Sequence, residues 1–282
     1  MRTASGSGRT WFITGASRGL GHAFAEAALE RGDRVAAAAR TITPELFAER
    51  HAERLLTLPL DVTDRTAVFA AVARAAEHFG ELDIVVNNAG TMSSGMVEEF
   101  TEAEARAQFE VNLFGALWVS QAALPHLRAR GAGHIVQISS IAALSGFPST
   151  SMYSASKFAL EGMSEALAME AEPFGINLTI VQPGGYWTDL YSTTANATPL
   201  KPYAQLRADL EKQWAENSVD SAPALAAEAL LKLVDSETPP LRLILGSMVY
   251  DLAVDITHAR LETWSSWEPI SRSAEHPTPT PT

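Results

Sequence analysis

Tyr153 and Lys157 stand four residues apart in Ser151-Met152-Tyr153-Ser154-Ala155-Ser156-Lys157. On a helix, positions i and i+4 share one face, so a phenol and an ammonium there project into the same space. A free tyrosine, with a pKa near about 10, is a weak acid–base catalyst at neutral pH. A cation beside it favours the phenolate and draws its proton into a usable range. Thirteen residues upstream of the tyrosine, the apolar run ending Ile138-Ser139-Ser140 closes on two hydroxyls. Near the N-terminus, Thr14-Gly15-Ala16-Ser17-Arg18-Gly19-Leu20-Gly21 joins an apolar run to a helical pattern. Small residues there let the backbone turn tightly and approach a pyrophosphate seated on the helix N-terminus. The spacing is Gly-x-x-x-Gly-x-Gly, which differs from the Gly-x-Gly-x-x-Gly dinucleotide fingerprint.

Elements at regular intervals must position these groups. Apolar runs at 10–14, 34–40, 55–60, 82–87, 134–139 and 176–182 alternate with helical patterns near 19–31, 65–79, 102–129 and 151–173. Short, nearly continuous apolar strands separated by helices imply a parallel sheet covered on both faces. With right-handed crossovers this predicts an α/β fold: a doubly wound, mostly parallel sheet of Rossmann type in three α/β/α layers. Ligands in such folds sit at the carboxyl ends of the strands, where Ser139 and Ser140 fall. Residues 189–235 break the alternation with helical, aromatic-bearing sequence, and 241–245 reads as one further strand. The expected organisation is a flexible leader at 1–9, one domain at 10–245, and a helical extension with a disordered tail at 246–282.

Composition narrows the classes. The chain has 282 residues, 46% of them apolar, enough for one large core. Its 21 Lys+Arg against 33 Asp+Glu give a net charge of −12, which disfavours nucleic acid or an anionic membrane as partner. The absence of cysteine excludes disulfides, thiolate metal sites and a cysteine nucleophile. No stretch approaches the roughly 18 apolar residues of a membrane span, so a soluble, cytoplasmic protein is expected. The histidines show no His-x-x-x-His spacing, and no metal is expected.

Thr14–Gly21, Asn87-Asn88-Ala89-Gly90 and Tyr153-x-x-x-Lys157, in this order, resemble the short-chain dehydrogenase/reductase family over residues 10 to about 190. Pro183-Gly184 followed by Thr188 matches a further element of its pattern. The resemblance implies a nicotinamide cofactor and reversible hydride transfer between an alcohol and a carbonyl. It implies a catalytic tetrad of Asn112, Ser140, Tyr153 and Lys157. Ser140 would hydrogen-bond the substrate oxygen, with Ser139 pointing elsewhere because strand side chains alternate. Lys157 would bind the nicotinamide ribose and lower the tyrosine pKa, and Asn112 would interrupt its helix and hold a water leading to Lys157. The implied cofactor contacts are Thr14, Gly15, Ser17, Arg18, Gly19, Leu20 and Gly21 in the loop, with Asp61 and Val62 at the adenine. Asn88, Ala89 and Gly90 follow the cofactor's path, Tyr153 and Lys157 meet its ribose, and Pro183, Gly184 and Thr188 lie beyond the sixth strand.

Charge argues for the phosphorylated cofactor. The second apolar run ends Ala38-Ala39-Arg40, without the carboxylate that would hold a ribose 2′-hydroxyl. Arg40 and Arg18 suit a 2′-phosphate through charge-assisted hydrogen bonds, and NADP(H) is the expected cofactor. Leu144, Phe147, Tyr186, Trp187 and Tyr191 should border the substrate beside Ser140 and Tyr153. Met92 and Met96 join them, and 189–215, with Tyr203 and Trp214, is placed where the family has a mobile lid. These residues favour a hydrophobic ketone. The expected function is NADPH-dependent reduction of a hydrophobic carbonyl compound to its alcohol. The alternatives are an alcohol or hydroxysteroid-type dehydrogenase working oxidatively, and a non-catalytic NADP(H)-sensing protein. The helical patterns at 102–129 and 151–173 resemble those that build four-helix interfaces in the family, implying a homodimer or homotetramer.

Overall fold

Alternate residues of the strands face opposite layers, and the whole architecture follows from that alternation. The computed structural model describes residues 8–217 and 220–275. Its main sheet contains β1 (Thr10–Thr14), β2 (Arg34–Ala39), β3 (Leu55–Pro59), β4 (Ile84–Asn87), β5 (Gly133–Ile138), β6 (Ile176–Pro183) and β7 (Arg242–Leu245). Their spatial order is β3-β2-β1-β4-β5-β6-β7, with every pair parallel. Trp11, Ile13, Val35, Ala37 and Val86 face α1 (Gly19–Glu30) and α7 (Pro223–Asp235), where Phe24, Ala28, Leu230 and Leu233 complete one core. Phe12, Ala36, Val85, Ile135 and Ile180 face α2 (Arg65–Phe79), α4 (Ala116–Arg130) and α5 (Ser151–Ala171). Val68, Val72, Val119, Leu127 and Leu167 fill that second core. The result is the expected doubly wound three-layer fold. Strand order reverses between β1 and β4, which opens a crevice at their carboxyl ends.

Local chemistry sets the element ends. The Asp64 side chain accepts from Ala67 N at 2.9 Å and caps α2, and Gly80 terminates that helix in the left-handed region at φ +76°. The pattern at 102–129 is not one regular helix. α3 (Glu102–Phe109) passes through a π turn, Glu110–Gly115, before α4 begins. Asn112 sits in that turn, as its expected helix-interrupting role requires. A Cβ on Gly115 would lie 2.7 Å from Val62 Cγ2, so the turn passes tight against the loop after β3.

Two expected segments differ in detail. Arg9, assigned to the leader, belongs to the body: its N–H donates to Asp33 Oδ1 at 3.0 Å and its Nη1 to the Val234 carbonyl at 2.7 Å. Residues 1–7 of the leader and 276–282 of the tail lie outside the described residues. Between β6 and α7, Ala195–Asn196 pairs with Ser93–Ser94 as a small parallel ladder, followed by α6 (Ala204–Asn217). The extension forms α8 (Ser247–Ser266) and α9 (Glu268–Ser273). Among the described residues, no helix is long and apolar enough to cross a membrane, and no cluster of His, Cys, Asp or Glu could hold a metal.

Candidate active site

The glycine loop is built for close backbone approach. Gly15 and Gly19 take φ of +66° and +56°, a region that disfavours other L-residues. A Cβ on Gly21 would lie 2.3 Å from the Gly15 carbonyl oxygen and 2.4 Å from Asn88 Nδ2. Thr14 Oγ1 accepts from both Asn88 N and Ala89 N at 3.0 Å and donates to the Val86 carbonyl at 3.3 Å. Thr14 and Gly21 therefore brace the loop against the end of β4 and do not line the cavity, unlike their loop neighbours Gly15, Ser17, Arg18, Gly19 and Leu20. We expect Gly21→Ala to lower stability by about 1–3 kcal/mol through overpacking, read as a drop in midpoint on thermal or urea unfolding.

From this loop a cavity of about 1110 Å³ runs across the carboxyl ends of the strands to α6 and α8. The α1 N-terminus carries no side-chain cap and no acidic residue in its first turn, so its N–H groups and dipole suit an anion. Asn88, Ala89, Gly90, Pro183, Gly184 and Thr188 all border the cavity. Arg40, Asp61 and Val62 border it beyond Ala39, where β2 ends without a carboxylate. Asp61 Oδ1 accepts from Thr63 N at 2.9 Å. That bond, with a smaller contribution from the Arg40 charge, holds the Asp61 carboxyl below its usual range. Arg18 reaches Thr193 Oγ1 at 3.4 Å and Asp189 at 3.8 Å, with both partners of the ion pair well exposed. Such a pair is weak, leaving the guanidinium available to a stronger anion. A glycine cradle, an uncapped helix end and two arginines fit a phosphate-rich dinucleotide.

At the other end, α5 presents Tyr153 and Lys157 on one face, both buried. Burial pushes the Tyr153 phenol up to about 12, opposed by a hydrogen bond with Ser140. The expected lowering by Lys157 is thus not produced by the protein groups alone. The ammonium lies 5.9 Å from the tyrosine ring centre and donates to the Ile138 carbonyl at 2.8 Å. Burial brings Lys157 itself down to about 8, with Glu161 acting in the opposite direction. The two adjacent serines separate as strand alternation requires. Ser139 Oγ donates to Glu161 at 2.6 Å. Ser140 Oγ accepts from Ala142 N at 3.2 Å, which leaves its proton for the phenol side.

Asn112 stands behind this group and is not part of the cavity wall. Its Nδ2 donates to the Thr91 carbonyl and to Ser156 Oγ, each at 3.0 Å, and its Oδ1 accepts from Thr91 N at 2.9 Å. A Cβ on Gly90 would lie 3.4 Å from Asn112 Oδ1 and 3.7 Å from Lys157 Nζ, so the two groups converge on Gly90.

The substrate side matches the expectation unevenly. Phe147, Tyr186 and Tyr191 border the cavity, as does Met92. Leu144 and Trp187 do not. The Leu144 carbonyl accepts from Arg260 Nη2 at 2.5 Å, tying its loop to α8. Trp187 is 69% exposed; its backbone N–H donates to the Ser221 carbonyl at 3.0 Å, at a bend just after the Tyr186–Ser221 bridge, and Tyr186 is buried while Trp187 is not. Met96 is buried away from the wall, and Tyr203 donates to Glu98 at 2.8 Å. Sequence reasoning missed Met248, Val249 and Leu252 of α8, which close the apolar end of the cavity. Covering the substrate pocket was one of two roles open to the extension from its sequence, and the spacing of Val249, Leu252, Ala253 and Ile256, an amphipathic face, was the signal for these residues.

One buried carboxylate anchors the segment before α6. Glu99 accepts from Leu200 N at 2.8 Å, Met96 N at 2.7 Å and Arg207 Nη2 at 2.6 Å. These donors, the Leu200 N–H first, hold it at about 2 against an ordinary 4.5. A depressed carboxylate contributes stability that is present above the ordinary value and lost as pH falls through the folded value. We expect Glu99→Gln to loosen residues 196–207, read as faster proteolytic cutting there at neutral pH, with the difference from wild type shrinking towards pH 2.

The family model of the short chain dehydrogenases matches residues 9–198. The chain is 40% identical over 266 residues to oxidoreductase BOA17 of Botryotinia fuckeliana, covering 91% of this chain and 96% of that protein. A short-chain dehydrogenase from Streptomyces avermitilis superposes with a TM-score of 0.88 at 37% identity, over 96% of this chain and 100% of that one. A short chain dehydrogenase from Burkholderia cenocepacia, solved in complex with NADP, superposes with a TM-score of 0.73 at 27% identity, over 92% of this chain and 97% of its own. With its parallel sheet, glycine cradle and Tyr-Lys pair, the chain belongs to the short-chain dehydrogenase family and is a nicotinamide-dependent oxidoreductase.

Proposed function

We propose that the protein uses NADPH to reduce the ketone or aldehyde of a hydrophobic substrate to the alcohol. The observation that carries this reading is a buried phenol that holds its proton, bonded to Ser140 and beside Lys157, at the apolar end of a long cavity. A reduced nicotinamide supplies hydride when bound. Tyr153 donates its proton to the carbonyl oxygen as negative charge grows there, and Ser140 donates a second hydrogen bond to the same oxygen. Lys157 would hold the nicotinamide ribose and keep a positive charge beside the phenol. Asn112, beside Gly90, would hold the water that returns a proton through Lys157. Arg18 and Arg40 would take the 2′-phosphate, a preference supported by the absence of a carboxylate at the end of β2 and by the NADP complex of the Burkholderia relative.

Phe147, Tyr186, Tyr191, Met248 and Leu252 favour an apolar substrate body, with 189–215 as the lid over it. The exposed Met169 and Phe158 of α5 support pairing of copies through α4 and α5 as a homodimer or homotetramer. A panel of apolar ketones, with carboxylate- and phosphate-bearing ketones of equal length, tests the substrate class. Apolar members should be reduced with kcat/KM about 10-fold or more above the charged ones; preference for a charged member overturns it.

The pH dependence follows from Lys157. Its value of about 8 lies below the ordinary 10.5, so the ammonium is present below about 8 and lost above it. We expect kcat/KM for NADPH, which reports the free enzyme, to fall with unit slope above roughly pH 8.

A further inference from the structure

Tyr153, Lys157, Glu161 and Glu165 form one stripe along α5 at four-residue spacing. The first three are buried, Glu161 with only 5% of its surface exposed, and the chemistry above uses only two of them. A buried carboxylate persists only when its charge is paired or its lone pairs are filled. Glu161 Oε1 accepts from Ser139 Oγ at 2.6 Å and from Gln182 Nε2 at 2.8 Å, and Oε2 from Gln182 Nε2 at 3.1 Å. These neutral donors tie α5 to the ends of β5 and β6 without cancelling the charge.

The cation on the far side is shared. Arg242 of β7 stands 3.4 Å from Glu161 through Nε, while its Nη2 grips the half-exposed Glu165. Arg242 is thus committed to Glu165 and neutralises Glu161 only in part. The charged groups facing Glu161 are Lys157 and Glu165 on its own helix and Arg242 on β7; Ser139 and Gln182 of the β5 and β6 ends are neutral. Lys157 stands one helical turn back from Glu161 on the same stripe, its Nζ held by the Ile138 carbonyl at 2.8 Å.

We propose that Glu161 is a positioning residue for the Tyr153–Lys157 pair: its carboxylate keeps Lys157 protonated inside the protein, and Arg242 sets how much of that field reaches it. The direction of the Glu161 influence on Lys157, opposite to that of burial, agrees. The catalytic meaning rests on the function proposed above, but the electrostatic claim does not, so the test needs no turnover.

The chain contains four lysines, at 157, 201, 212 and 232, few enough to follow individually by NMR titration of their labelled Cε groups, with Lys157→Met to assign the signal. In the protein without added cofactor, Glu161→Gln should move the Lys157 midpoint down by roughly one pH unit. Arg242→Gln should move it up, because the competing cation is gone. A cooperative thermal unfolding transition reports that each variant is folded. A purely structural Glu161 would make both variants less stable and move Lys157 in neither, or in the same direction in both; either result overturns the proposal. If Glu161→Gln does not fold, the upward shift in Arg242→Gln decides, and its absence overturns the proposal. Reduction of ketones by wild type bears only on the function, so the two failures are distinguishable.

Discussion

Tyr153→Phe should lose about 10²–10⁴-fold in kcat while its NADPH affinity stays within about twofold, because general acid catalysis contributes that much and the phenol oxygen is its donor. The ring remains to fill the buried space, so the fold should not change. Removing the hydroxyl also removes the costly option of a buried phenolate, and thermal stability should hold or rise slightly at alkaline pH. The sign follows from the raised value: folding opposes ionisation of Tyr153 between its ordinary 10 and about 12, so the wild type loses more stability than the variant as pH rises through that window. Steady-state rates, equilibrium binding of NADPH and unfolding between pH 9 and 12 would together check this. Loss of NADPH binding equal to the loss of rate would move Tyr153 from catalysis to cofactor support.

The second large effect concerns cofactor choice. Arg18→Ala and Arg40→Ala should each raise KM for NADPH about 10-fold or more, and together about 10²–10³-fold, since a hydrogen bond to a charged group contributes about 1.5–3 kcal/mol. KM for NADH should change by less than about threefold. Arg18 gives up only its exposed contacts with Asp189 and Thr193, which cost little, so the loss reports the phosphate. Equal losses with both cofactors would assign the arginines to the pyrophosphate or adenine.

The sheet and the shared helix face of Tyr153 and Lys157 were legible because each is written in local spacing. Apolar runs such as Trp11-Phe12-Ile13 and Ile84-Val85-Val86 are buried on both faces, and the four-residue step from Tyr153 to Lys157 survives in any helix. The interruption at Asn112 came only from the family resemblance, and the π turn and its hold on Thr91 come from the structure. What the chain did not show locally is set by distant packing. The Tyr153 pKa is governed by burial, which outweighs the hydrogen bond with Ser140. The bend at the exposed Trp187 is held by a bond to the Ser221 carbonyl, thirty-four residues further on. The closure of the cavity by Met248, Val249 and Leu252 depends on α8 folding back across β7, an outcome of tertiary contact that periodicity alone does not specify.

The most direct measurement pairs cofactor consumption with product. Wild type and Tyr153→Phe, both first shown to bind NADPH, are incubated with an apolar ketone, and alcohol formed is counted against NADPH consumed, with NADH run in parallel. The account predicts one alcohol per NADPH in the wild type, a rate with NADH at least about 10-fold lower, and almost no product from the variant. Equal turnover by the two proteins, or a wild type that prefers NADH, would contradict it.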